Sequence, residues 1–349
     1  MGVQERSEIL RRIETQRDSK ALLYVTSDRQ GMSAQIGKDV YDFFVKHLDR
    51  VWPSPRISFI LHTAGGDTAA AWQIINLLRI FCEELEVIVP SRAHSAGTLM
   101  ALGASRIFLT KQATLGPIDP SISGPLSPAV PGQPNQRVPV SVEAVQGYID
   151  LARGQLGIED QAALAQILAD LSKQVHPLVL GQIFRTRTQI RELARALLAH
   201  HNGDSDEAKP KVEKIIDFLC SESGSHDRTI NRREARELGL QVEKPSQELY
   251  EELSALHEDF AESMQLRHPF NAMVSLGSNA TVDFEAERVI VESVEGGSWR
   301  YMTKGQVRRV NLAQPGGPAG TQLAMTAAET VIVTEGWEHE NGQLPGSPA

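Results

Sequence analysis

Short apolar runs alternate with amphipathic segments along the first third of the chain. The runs are rich in β-branched and aromatic side chains, a composition typical of buried strands, and they span 21–26, 56–63, 86–91 and 106–110. The segments between them, such as 37–49 and 68–81, repeat apolar residues at helical spacing. Strands that alternate with helices in this way indicate an α/β fold with neighbouring strands parallel.

The pattern changes twice further along the chain. Residues 120–139 are rich in Pro, Gly and Ser, so we predict a long loop there and no helix or strand. Long helical patterns follow, and strand-like patterns separated by turns begin at residue 266. We therefore divide the chain into an N-terminal helix, an α/β domain, a connecting helix, a small β-rich domain and a disordered tail, spanning 1–19, 20–245, 246–265, 266–340 and 341–349.

Composition and charge narrow the class of protein. Of 349 residues, 41% are hydrophobic and 23% are charged, which are the proportions of a globular protein with a sizeable core. The formal net charge of −9 argues against a nucleic-acid partner, which requires a basic surface. No apolar run approaches the ~18 residues of a membrane span, so we predict no integral membrane segment. Two cysteines without a CxxC pair predict no cysteine metal site and a reducing, cytoplasmic location.

Two turns carry residues with clear chemical use. Gly65 and Gly66 follow the run 56–63, and without Cβ atoms their peptide N–H groups can approach a ligand closely. Ser95 opens the helical segment 95–104, where the helix N-terminus would stabilise an alkoxide or an oxyanion. Each turn also has a structural interpretation, a tight turn for the glycines and an N-cap for the serine. Because the two turns end neighbouring strands, together they predict an oxyanion donor beside a nucleophile.

The sequence around both turns resembles a class of serine peptidases. The segments "HTAGGDTAAAWQIINLLR" and "VIVPSRAHSAGTLMALGASRIFLTKQATLGPIDPSI" are similar to the signal peptide peptidase A and Clp-protease class, and most similar to its serine dehydrogenase proteinase branch. The resemblance covers roughly residues 20–245. It implies a Clp/crotonase-type superhelix of ββα units and assembly into homo-oligomers. By position, Ser95 resembles the nucleophile, and the peptide N–H groups of Gly66, Ala96 and Gly65 resemble the oxyanion donors.

The general base is where the family pattern and this chain differ. In the Clp branch a catalytic His lies at about the position of "TLGPID" (114–119). This chain has Pro117 or Asp119 there instead, so a Ser-His-Asp triad of that type is not implied. The other branch pairs Ser with a Lys whose pKa is lowered by burial or nearby positive charge. Lys173 in "ILADLSKQVHP" resembles that Lys, although its place opposite the apolar stripe also fits a solvated lysine. His226 is the alternative base. His94, next to the serine, lies near the site, but successive residues at a strand end point apart, so it is not expected to reach the hydroxyl.

The sequence therefore predicts a serine endopeptidase that cleaves peptide or protein substrates and needs no metal or cofactor. Two alternatives stay open at this point. A crotonase-like enzyme of acyl-thioesters would share the fold and the glycine turn, but it would need acid–base carboxylates around its substrate. A non-catalytic oligomeric scaffold would keep the fold and lack the base.

Overall fold

The computed structural model describes residues 2–51, 54–118, 121–130, 133–202, 209–222, 228–312 and 325–340. The helices within them are α1 (Val3–Arg17), α2 (Tyr41–Val51), α3 (Thr68–Ile80), α4 (Ala96–Leu102), α5 (Val142–Asp150), α6 (Gln161–Gln174), α7 (Pro177–Asn202), α8 (Lys209–Asp217), α9 (Arg232–Leu238), α10 (Gln247–Ser263) and α11 (Ala272–Leu276). The strands are β1 (Lys20–Thr26), β2 (Arg56–His62), β3 (Glu84–Val89), β4 (Arg92–Ala93), β5 (Arg106–Leu109), β6 (Thr114–Leu115), β7 (Ser121–Ile122), β8 (Ala129–Val130), β9 (Gln133–Arg137), β10 (Val140–Ser141), β11 (Ile230–Asn231), β12 (Val242–Glu243), β13 (Thr281–Ser293), β14 (Gly297–Leu312) and β15 (Met325–His339).

The predicted strands pair in one eight-stranded sheet, in the order β12-β5-β3-β2-β1-β13-β14-β15. In this order, each pair of adjacent strands from β12 to β1 is parallel. Helices α2, α3 and α4 lie in the connections from β1 to β2, from β2 to β3 and from β3 to β5. Parallel neighbours need such crossovers because each strand must start again at the same end of the sheet. The predicted α/β fold class is therefore confirmed.

Helices cover both faces of this sheet. Successive side chains of β1 alternate between the faces: Leu22 and Tyr24 pack in the core with α2, α3 and α4, whereas Leu23 and Val25 pack with α1 and α10. In the first core, the ring of Tyr24 lies 5.2 Å from that of Phe44, measured between centroids. Burial on both faces explains why the strands are continuous apolar runs in the sequence.

The C-terminal strands continue the same sheet. β13 pairs antiparallel with β1, with Ser293 opposite Leu22, and β14 and β15 follow in antiparallel order. The predicted β-rich character of this region is confirmed. Composition did not indicate that its first strand pairs with β1. The division of the chain at residue 266 stays a prediction.

A buried ion triad ties the two ends of the chain together. Arg6 of α1 bonds with Asp259 of α10 at 2.8 Å and with Glu292 of β13 at 3.0 Å. All three side chains are buried. Burial raises the pKa of Glu292 to about 7, against the opposing effect of Arg6. The N-terminal helix is thus part of the packed structure and depends on charges supplied by two distant segments.

Residues 120–139 are not the uninterrupted loop that their composition predicted. β7 pairs antiparallel with β10, with Ile122 opposite Val140, and β8 pairs antiparallel with β9. Short edge strands tolerate Pro because the missing N–H can face away from the partner strand. A composition rich in Pro and Gly therefore did not exclude strands here.

Helices α5, α6 and α7 and the turns next to them carry exposed apolar side chains. α6 has no buried residue along its length. The large apolar side chains exposed in this region include Leu151, Leu156, Leu168, Leu178 and Phe184. Among the described residues, no helix combines the length and the apolar character needed to cross a membrane.

Candidate active site

Ser95 lies in the turn between β4 and α4. Its backbone has φ 51° and ψ −116°, a conformation that residues other than glycine seldom adopt. Hydrogen bonds on both sides hold it: the Gly97 N–H donates to the His94 carbonyl at 2.8 Å, and the Leu99 N–H donates to the Ser95 carbonyl at 3.1 Å. A strained serine on a sharp strand-to-helix turn is typical of nucleophilic serines.

Ser95 occupies the N-cap position of α4 without capping the helix. A capping residue has extended backbone, which lets its side-chain oxygen reach an N–H two or three residues further on. The positive φ of Ser95 departs from that geometry, and its hydroxyl makes no capping hydrogen bond. The side chain is half-buried. Its hydroxyl is therefore not consumed by the helix that it precedes.

The glycine turn after β2 lies directly against Ser95. Gly65 has φ 116° and Gly66 has φ 147°, both in the range that favours glycine. A Cβ atom on Gly65 would lie 2.7 Å from Ser95 Cβ and 3.0 Å from the carbonyl oxygen of His94. A Cβ atom on Gly66 would overlap the backbone of Ile36. Close neighbours therefore exclude a side chain at both positions.

The peptide N–H groups of these turns differ in what they bind. The Gly65 N–H donates to Thr63 Oγ1 at 3.0 Å. The bridge between Gly66 and Ile36 uses the Gly65 carbonyl and the N–H of the residue after Gly66, at 2.9 Å each, and does not use the Gly66 N–H. Ala96 begins α4, so its N–H has no acceptor in the helix. Gly66 and Ala96 thus keep N–H groups that these contacts leave unused.

Thr63 connects the two turns, and sequence reasoning missed it. Its hydroxyl accepts the Gly65 N–H and bonds with the hydroxyl of Thr26 at 2.7 Å. Its γ-methyl group occupies the space that a Cβ atom on Gly97 would need. Its backbone also bonds to β4 and to the residue after β4, at 3.0 and 3.1 Å. The only signal in the sequence is a Thr placed between a buried strand and the two glycines.

Comparison with known proteins agrees with this arrangement. Residues 1–281 match the family described as ClpP-like SDH-type serine proteinase. The chain belongs to this family. The predicted resemblance to the serine dehydrogenase proteinases is therefore confirmed, and at the level of the family this proteinase is a serine peptidase.

Two relatives and two solved structures are similar to this SDH-type proteinase at low sequence identity. Two uncharacterized proteins of Methanocaldococcus jannaschii are 30% identical over 246 residues and 27% identical over 248 residues. The first match covers 68% of this chain and 73% of the relative, and the second covers 69% and 72%. Two structures of the 1510-N membrane-bound stomatin-specific protease, one in complex with a substrate peptide, are 17% identical, with TM-scores of 0.38 and 0.36. They cover 67% and 65% of this chain, and 85% and 76% of their own chains.

The predicted base of this proteinase, Lys173, lies on α6. Its amino group pairs with Asp170 at 2.6 Å, and its side chain is 67% exposed. Within the part of the chain that the structure describes, no hydrogen bond joins Lys173 to Ser95. An exposed lysine beside a carboxylate has neither the burial nor the positive neighbour that a catalytic base needs. The structure thus brings Ser95 and the glycine turn together and places Lys173 on an exposed helix, paired with Asp170. The candidates Asp119 and His226 lie outside the described residues.

The ring of His94 lies against β6. Its Nε2 is 2.8 Å from Thr114 Oγ1, and its side chain packs over Gly116. The hydroxyl of Thr98 lies 2.7 Å from the Ala93 carbonyl oxygen and accepts the Gly116 N–H at 3.0 Å. These contacts hold β6 and the adjacent Gly116 beside the Ser95 turn.

His62 is buried on the far face of the sheet, directly before Thr63. Its ring lies 5.1 Å from that of Phe260 and 5.8 Å from that of His257, measured between centroids. Burial lowers the pKa of His62, and it lowers the pKa of His257 to about 4. Both rings are therefore neutral at neutral pH and support the site from behind by packing.

Proposed function

We propose that this proteinase cleaves peptide bonds with Ser95 as the nucleophile. The observation that carries the proposal is the strained Ser95 turn packed against Gly65, with a hydroxyl that caps nothing. Ser95 Oγ attacks the carbonyl carbon of the substrate, and the N–H groups of Gly66 and Ala96 donate to the oxyanion that forms. The general base takes the hydroxyl proton of Ser95 and passes it to the departing amine, and water then hydrolyses the acyl-enzyme that remains.

A fluorophosphonate probe, which modifies activated serines, tests this role. We expect the purified protein to be labelled at Ser95, as located by mass spectrometry of the labelled peptide. Labelling should disappear in Ser95→Ala and persist in Ser91→Ala, a control serine four positions earlier that is also half-buried. Wild-type protein that is not labelled, or labelling that survives Ser95→Ala, contradicts the proposal and favours the non-catalytic scaffold.

Lys173 is the base that we propose, on the strength of the family resemblance. In the conformation described it is exposed and paired with Asp170, so Lys173 must leave Asp170 and lie within hydrogen-bond reach of Ser95 before it can accept the hydroxyl proton. We expect Lys173→Ala to slow labelling at neutral pH by ~10²–10⁴-fold, the usual contribution of a general base. Lys173→Arg should not restore the rate, because a guanidinium stays protonated.

Lys214→Ala, at an exposed lysine on α8, is the matched control and should label at the wild-type rate. If Lys173→Ala also labels at that rate, Lys173 is not the base. The role of Ser95 is unaffected by that result, since it is tested separately.

Homo-oligomer formation is also part of the proposal. The exposed apolar side chains on and beside α5, α6 and α7 support it, because a contact between copies would remove them from water. Sedimentation of the wild-type protein should give a mass above the 38.3 kDa of one chain, and Phe184→Glu should shift it towards the monomer. A wild-type monomer at micromolar concentration would count against assembly.

We propose a cytoplasmic location as well, since Cys82 and Cys220 are free thiols, as expected in a reducing compartment.

A further inference from the structure

A cavity of about 270 Å³ lies between β1, the segment 34–40 and the C-terminal strands. Its wall contains the rings of Tyr24, Tyr301 and Trp337, together with charged side chains. Parts of the chain that are far apart in the sequence form it. The reaction proposed above leaves this cavity unused.

The segment 34–40 joins the cavity to the Ser95 turn. Ile36 binds the glycine turn through two backbone hydrogen bonds of 2.9 Å each. Its neighbours Gln35 and Gly37 line the cavity, and the glycine turn contacts Ser95. An extended peptide advances ~3.3 Å per residue. A peptide held at Ser95 that runs along this segment therefore carries one of its next side chains to the cavity.

The hydroxyl of Tyr24 is an unpartnered polar group behind the cavity wall. Tyr24 is 1% exposed, and its hydroxyl has no hydrogen-bond partner among the described residues. Burial raises the pKa of Tyr24, and the charge of Asp39 raises it further, so the hydroxyl stays protonated. The oxygen itself has almost no accessible surface, so the Tyr24 ring lines the cavity while its hydroxyl lies behind the wall.

The charges of the wall favour a cation. The guanidinium of Arg288 donates to Glu335 at 2.6 Å and to the Ser33 carbonyl, so these two charges compensate each other. Asp39 accepts a hydrogen bond from Trp337 Nε1 at 2.8 Å, and it forms no ion pair with any described residue. One carboxylate charge is thus left over in the wall. The faces of the neighbouring aromatic rings also attract cations.

We propose that this cavity is a subsite for a lysine or arginine side chain of the substrate peptide. The ammonium or guanidinium group donates to the Asp39 carboxylate, and its alkyl stem lies against Tyr301 and Trp337. Such a cation donates hydrogen bonds and accepts none, which matches the carboxylate of Asp39. An acidic side chain would meet the charge of Asp39 and be disfavoured. The inference rests on the proposed peptidase function, because it names a preference of the same substrate.

Binding to Ser95→Ala protein tests the subsite without cleavage. The probes are six-residue alanine peptides that carry lysine, norleucine or glutamate at each position in turn, with affinity measured by calorimetry. At one position we expect lysine to bind roughly tenfold or more tighter than norleucine, which lacks the ammonium group. Asp39→Asn should remove this preference, while its side-chain oxygen can still accept the Trp337 indole N–H.

Asp42→Asn, at an exposed acid on α2 outside the cavity wall, is the matched control and should keep the preference. Equal affinities for lysine and norleucine at every position, including no binding of either, overturn the subsite. A preference that persists in Asp39→Asn overturns it as well.

Fluorophosphonate labelling of the wild-type protein keeps the two proposals apart. Labelling at Ser95 without any preference for lysine defeats the subsite alone. A preference for lysine that depends on Asp39, in a protein whose Ser95 is never labelled, supports the cavity as a site for basic side chains and defeats the peptidase.

Discussion

Replacing Thr63 with Val tests how the two turns of the site are held together. Val has nearly the shape of Thr, so the methyl group that packs over Gly97 is kept. The hydroxyl is lost, and with it the partner of the Gly65 N–H at 3.0 Å and of the Thr26 hydroxyl at 2.7 Å. Both groups lie where the chain is buried, so water cannot easily replace the lost bonds.

The expected loss follows from these two bonds. A buried polar group without its partner costs ~1–3 kcal/mol, so two of them lower the free energy of unfolding by roughly 2–6 kcal/mol. The Gly65 turn also loses its tether to β2 while it lies in contact with Ser95. Because small displacements at a reacting centre are costly, we expect fluorophosphonate labelling of Ser95 to slow by roughly 10–100-fold.

Two control variants separate the hydroxyl from the methyl group. Thr63→Ser keeps the hydroxyl and removes the methyl group, so it should lose about 1 kcal/mol of stability and label at nearly the wild-type rate. Thr26→Val leaves the bond between Thr63 and Gly65 intact. It should therefore lower the free energy of unfolding while Ser95 is labelled at nearly the wild-type rate. Urea denaturation and labelling kinetics supply the two measurements. If Thr63→Val labels as fast as the wild type and Thr63→Ser is the slow variant, the hydroxyl does not position the turn.

Three further predictions rest on other contacts. Gly65→Ala places a Cβ atom 2.7 Å from Ser95 Cβ at φ 116°, so labelling should fall by at least ~10-fold; a wild-type rate would contradict that contact. Arg6→Ala removes the guanidinium that two buried carboxylates share and should cost ~3–5 kcal/mol in urea denaturation, whereas Arg12→Ala, at an exposed pair, should cost less than ~1 kcal/mol. Equal losses would contradict the role of burial. Burial lowers the pKa of His47 from 6.5 to about 4, so the folded protein binds a proton at His47 less readily than the unfolded chain. The free energy of unfolding therefore falls by up to about 3 kcal/mol as the pH drops from 6.5 towards 4. The urea midpoint of His47→Gln should therefore depend less on pH in that window. A midpoint that changes with pH as steeply as in the wild type would be evidence against this role of His47.

The sequence by itself determined the kind of fold and the kind of site. Continuous apolar runs alternating with helical spacing indicate strands buried on both faces, and this alternation is a local property that needs no knowledge of contacts. Gly65, Gly66 and Ser95 each have an ordinary structural interpretation, and they stand out because their two turns end neighbouring strands. These local signals were sufficient to predict an α/β fold and the two turns of the site.

Tertiary structure decided which distant groups meet. The pairing of β13 with β1, the hydrogen bond between the hydroxyls of Thr26 and Thr63 and the cavity beside Tyr24 all join segments that no periodicity links. Lys173 shows the same limit: its spacing placed it on a helix, but only the fold left that helix exposed and its amino group on Asp170. Burial and hydrogen-bond partners depend on the whole chain, because each is set by which surfaces exclude water together. The local sequence could therefore predict Ser95 and the glycine turn as candidates, whereas Thr63 and the surroundings of Lys173 were visible only in the folded chain.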